Sequence, residues 1–109
     1  MISVILYRDK GNLRGFKVSG HAGYAPKGKD IVCAAVSSLV ITTVNALEAF
    51  TEDEKTVVSD EEKGIIEVRF KGVPGHDADL LLRAMVLGLE EISRDQGFVK
   101  INEEVGSHD

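Results

Sequence analysis

From Ile31 to Leu47 the chain carries no charge, although Ser37, Ser38, Thr42, Thr43 and Asn45 interrupt the run. The stretch falls short of the ~20 apolar residues that a bilayer span needs, and it reads as a long helix buried in a core. Its apolar residues, Ile31, Val32, Val36, Leu39, Val40, Ile41, Val44, Leu47 and Phe50, occupy most of the helix circumference. A helix apolar nearly all round needs cover on more than one side. In a chain of 109 residues, that cover is a sheet plus a second helix or a second subunit, so a homodimer is expected.

The remaining segments sort by period. Ile2, Val4 and Leu6 alternate with Ser3, Ile5 and Tyr7, Asp9 to Asn12 supply turn residues, and Phe16 and Val18 resume the alternation up to Gly20. This predicts a hairpin. A loop with Gly23, Pro26 and Gly28 leads to Asp30, an N-cap residue type, and the long helix then runs to about Phe50. Thr56 to Ser59 and Ile65 to Lys71 predict a second hairpin around the turn 60–64. A second helix is expected from near Asp77 to Gln96, with Asp77 and Asp79 at its positive end, a Glu90–Arg94 pair, core positions Leu81, Ala84, Met85, Leu89 and Ile92, and Gly97 just past its end. Gly88 would permit close helix contact. A last strand from Phe98 to Glu103 completes the order ββαββαβ. The predicted fold is α+β, one domain over residues 1–109 with a mainly antiparallel sheet packed against two helices.

Composition excludes several classes. The hydrophobic fraction of 43% and charged fraction of 28% are those of an ordinary globular protein. A single cysteine rules out an intramolecular disulfide and suits a reducing compartment. No basic leader or cleavage-site pattern precedes the first strand, so a cytoplasmic location without membrane attachment is expected. Residues 1–30 hold six Lys or Arg against two acids, and residues 31–109 hold seven against sixteen. That acidic balance argues against direct nucleic-acid binding, and it suits either a basic protein partner or simply a surface kept soluble by its acids.

The chemistry centres on Gly20-His21-Ala22 and on Asp30-Ile31-Val32-Cys33-Ala34-Ala35-Val36-Ser37. A lone helical cysteine is more often a small buried hydrophobe than a nucleophile, and position changes those odds. With Asp30 as N-cap, Cys33 falls in the turn whose N–H groups lack intrahelical partners, which favours the thiolate and offers an oxyanion site. His21, at the end of a strand, is the nearest imidazole to take and return the thiol proton. Asp30 would fix the turn, while as an anion near sulfur it opposes ionisation, so it is a positioner. Ser37, one turn beyond Cys33, is placed to hydrogen-bond either a substrate or its own helix carbonyl. His76 at the second helix and His108 in the tail are weaker candidates. Neither a zinc spacing nor a phosphate-loop fingerprint is present, so no metal or cofactor is implied.

These paired motifs resemble those of the ribosomal-processing cysteine protease family, Prp. The resemblance extends over essentially the whole chain in length and element order. It implies that Cys33 is the nucleophile, that His21 is the general base and acid, and that Asp30 and Ser37 occupy further motif positions. It further implies a homodimer that removes the N-terminal extension of large-subunit ribosomal protein twenty-seven during ribosome maturation, a basic partner for an acidic protein. Two other readings compete with it. One is a ribosome-associated module that binds the peptide without cutting it, and the other is a redox sensor using Cys33.

Overall fold

Lys10 (φ 52°) and Gly11 (φ 83°) both adopt left-handed backbone, which gives the two-residue turn whose twist suits a hairpin. They join β1 (Ile2–Asp9) to β2 (Asn12–Ser19), paired antiparallel with Val4 opposite Val18 and Leu6 opposite Phe16. The register slips between Tyr7 and Arg8, which face Gly15 and Leu13 respectively, so Arg14 is the extra residue of a bulge. Gly15 has φ 152°, and a Cβ there would collide with the Val68 carbonyl oxygen of the neighbouring strand. The computed structural model describes residues 1–20 and 29–106, with residues 29 and 30 as backbone.

Helix α1 (Lys29–Phe50) is followed by the second hairpin, β3 (Lys55–Asp60) and β4 (Ile65–Phe70), then by helix α2 (His76–Gln96) and β5 (Val99–Val105). The five strands form one sheet in the order β3-β4-β2-β1-β5. All neighbours are antiparallel except β5, which runs parallel to β1. Both helices cover one face, where Val4, Leu6, Phe16, Val18, Val68 and Phe70 meet Val32, Val36, Val40 and Leu47 of α1 and Ala78, Leu82, Met85 and Leu89 of α2. The α+β architecture and the order ββαββαβ are those expected from the sequence.

Several local expectations change. By length and mean hydropathy, Ile31–Phe50 reaches what a membrane span requires. In this fold it is a core helix, with one stripe against the sheet and the Leu39 flank against α2. A Cβ on Gly88 would come within 2.7 Å of Leu39 Cδ2, so the close contact anticipated at Gly88 is present. Helix α2 takes Gly75 as its N-cap without a side-chain cap, and Asp53 Oδ2 accepts from the Gly75 N–H at 2.8 Å. Of the expected core positions of α2, Met85 and Leu89 are buried and Leu81 and Ile92 pack against the core, while Ala84 is exposed and Leu82 and Ala78 are buried besides. Arg94 approaches Asp95 rather than Glu90, and the i,i+4 ion pair of this helix is Arg83–Asp79 at 2.9 Å. Phe98, expected to open the last strand, has φ 62° and is 46% exposed. This left-handed residue, just after the Gly97 cap, reorients the chain before β5 begins at Val99.

The sheet's other face carries a buried phenol. Tyr7 Oη donates to Glu67 Oε2 at 2.6 Å, and the Arg69 guanidinium lies 3.9 Å from the Tyr7 ring centre.

Candidate active site

Cys33 is half-buried against the apolar core. Helix α1 opens at Lys29, so Asp30 lies inside its first turn and not at the N-cap position expected of it. Side chains are only one way to satisfy first-turn amides, and the residue type of Asp30 therefore did not fix the boundary. Cys33 is the fifth helical residue, and the helical ladder takes its N–H to the Lys29 carbonyl. Any oxyanion donors at this end are the first-turn amides ahead of it, because the Cys33 amide is already engaged.

The sides of α1 have distinct roles. Val32, Val36, Val40, Thr43 and Leu47 form the buried stripe. Leu39 lies on the flank that meets α2. Cys33 lies on the opposite flank. At ~100° per residue, Ser37 is roughly 40° and Val44 roughly 20° from it around the axis. Ser37 is half-buried on this flank, one turn beyond the thiol. The flank faces the β3–β4 hairpin, where Ile41, Val44 and Asn45 meet Val57, Ser59, Glu61 and Ile66 around an open cleft of 240 Å³. Nothing in the sequence singles these residues out, since Ile41 and Val57 look like core residues. The available signal is an excess of apolar positions on a helix that one sheet and one helix cannot cover.

The hairpin also touches the segment that carries the expected base. Gly20, the residue after β2, donates its N–H to the Gly64 carbonyl in the β3–β4 turn at 3.0 Å. His21 and the His21–Cys33 separation lie outside the described residues, as do the Asp30 side chain and His108. His76 is described and stands apart from the thiol. It lines a surface depression with Phe50 at the far end of α1, roughly 25 Å along the helix from Cys33, and its ring contacts Asp77 at 3.1 Å. Among the described residues, no cluster of His, Cys, Asp and Glu is arranged to hold a metal ion.

Comparison with known proteins bears on the family and the fold. The family model for cysteine protease Prp matches residues 1–99. The ribosomal processing cysteine protease Prp of Staphylococcus aureus is 30% identical over 96 residues, covering 87% of this chain and 91% of its own. That of Bacillus subtilis is 35% identical over 91 residues, covering 80% of each. A crystal structure of the S. aureus protease with a substrate peptide superposes with a TM-score of 0.88 at 26% identity, over 95% of this chain and 100% of that one. By sequence along nearly its full length and by fold, the chain belongs to the ribosomal-processing cysteine protease family Prp.

Proposed function

We infer that Cys33 and His21 form a catalytic dyad that cleaves the N-terminal extension from large-subunit ribosomal protein twenty-seven, and that the working unit is a cytoplasmic homodimer. The observation that carries this reading is the position of Cys33, the chain's single thiol. It is half-buried one turn into α1, on the flank turned towards the hairpin that is bonded to Gly20. The names of the relatives support the processing role, and the acidic balance of residues 31–109 suits a basic substrate.

In the proposed reaction His21 takes the Cys33 proton, and the thiolate attacks the scissile carbonyl carbon. The tetrahedral oxyanion is held by first-turn amides of α1, and collapse expels the amine, which receives the proton from His21. Water, deprotonated by His21, then attacks the thioester, and the thiol leaves with the returned proton. Asp30 favours the helix start through its charge in the first turn, and Ser37 holds the substrate beside the thiol. The homodimer is supported by Leu80, Ala84 and Leu87, an exposed i, i+4, i+7 stripe on α2 that nothing among the described residues covers.

The test incubates the protein with its host's full-length ribosomal protein and reads intact masses. Cys33→Ser and His21→Ala are each expected to abolish cleavage, with peptide binding retained in Cys33→Ser. Equal binding by both chains with no cleavage by the unmodified protein would overturn the protease reading in favour of the binding module.

A further inference from the structure

The cleft between α1 and β3 lies on the nucleophile's side of the molecule, and the reaction outlined above does not use it. It is lined by Ile41, Val44 and Asn45 from α1 and by Val57, Ser59, Glu61 and Ile66 from the hairpin. Ile41 is 46% and Val57 39% exposed, so two branched apolar side chains stand open to solvent within one concavity. A volume of 240 Å³ lies below the ~300–1,000 Å³ of pockets that hold whole small molecules, and it suits one or two side chains.

Two structural ties place this cleft in line with the active site. Cys33, Ser37, Ile41 and Val44 follow one another along a single flank of α1, and Ile41 and Val44 lie roughly 12 and 16 Å beyond Cys33 along the axis. The opposite wall is the hairpin whose turn binds Gly20. Among the described residues, the wall strand β3 is also an edge of the sheet, paired only with β4. Its outer N–H and C=O groups are thus free to pair with an extended chain lying alongside α1. At ~3.3 Å per residue, such a chain travels from the thiol to the cleft in about four or five residues.

We propose that the α1–β3 cleft is a specificity subsite, which takes a branched or aromatic side chain of the substrate peptide four or five residues from the scissile bond. This rests on the protease reading. Glu61, the one charged residue among those lining the cleft, favours a lysine or arginine next to that side chain. The subsite thus recognises an extended segment in which an apolar residue adjoins a basic one, set back from the cut.

The test compares kcat/KM for a peptide spanning the processing site with versions carrying alanine at each position in turn. Alanine four or five residues from the cut, on one side of it, is expected to lower kcat/KM about tenfold or more, the range for losing an apolar side chain from a fitted pocket. Ile41→Arg and Asn45→Trp, both at exposed positions, are expected to bring that ratio close to one. A ratio unchanged in both folded variants overturns the subsite, as does a scan with no apolar dependence at that distance. If the substitutions convert a dimer to a monomer by sedimentation while the ratio persists, the cleft is a subunit contact and the proposal fails. Should the unmodified protein cut no peptide, the protease reading falls by itself. Fluorescence anisotropy of the same labelled peptides on Cys33→Ser, with and without Ile41→Arg, then decides the cleft on binding alone.

Discussion

Gly15 and Gly88 both sit where a neighbour leaves no room, and the neighbours differ in kind. A Cβ on Gly15 meets the backbone carbonyl of Val68 and requires a φ of 152° that an L side chain rarely adopts. A Cβ on Gly88 meets the tip of the Leu39 side chain, which can rotate away. Gly15→Ala is therefore expected to cost about 2–4 kcal/mol in urea unfolding. Gly88→Ala, where strain is offset by the ~1 kcal/mol that alanine gains over glycine in a helix, should fall within about 1 kcal/mol of the parent. The place of Cys33 near the start of α1 was legible in the sequence, because the uncharged run that marks the helix begins at Ile31, just after Asp30. Ile41, Val57 and Glu61 were not, because their significance lies in a juxtaposition of α1 with a hairpin that local pattern does not encode.

At the scale of elements, the turns were the most legible part of the chain. Lys10-Gly11 and the segment around Gly64 occur where the sequence interrupts its alternation, and Gly97 closes α2 by donating its N–H to the Ser93 carbonyl. The parallel partnership of β5 with β1 was not legible, since a lone C-terminal strand carries no local signal of its neighbour. The open face of the sheet makes a testable claim on pH. Burial, followed by the hydrogen bond and then the charge of Glu67, pushes the Tyr7 phenol up to about 12, against the opposing pull of Arg69. The neutral phenol is thus favoured in the folded chain. Its contribution is fully present below the ordinary value of 10.0 and is lost as pH rises from there through about 12. In a Tyr24→Phe background the tyrosinate absorbance should titrate near the raised value. Stability should fall over that interval more steeply than in the same background with Tyr7→Phe.

The whole molecule is asymmetric in charge and in apolar cover. Sixteen acids against seven bases over residues 31–109 set a field that would draw the basic substrate proposed above, and salt weakens such steering as the Debye length falls from about 10 Å at about 0.1 M to about 3 Å at about 1 M. KM for the ribosomal protein is therefore expected to rise several-fold over that range with kcat little changed, whereas binding through the apolar walls of the cleft alone would not raise KM. Apolar cover leads to the last expectation. The sheet and α2 cover two sides of α1 and leave Ile31, Ile41 and Phe50 exposed, while α2 carries an uncovered seam of its own at Leu80, Ala84 and Leu87. Leu80 is 48% and Leu87 59% exposed, and residues spaced i, i+4, i+7 present a continuous ridge that a second copy can meet with its own. Sedimentation equilibrium at micromolar concentration should give a dimer. Leu87→Glu places two like charges across a two-fold seam and should yield a monomer with an unaltered circular dichroism spectrum. A dimer that persists in both Leu87→Glu and Leu80→Glu would remove this stripe as the interface, and a monomeric parent protein would remove the dimer itself.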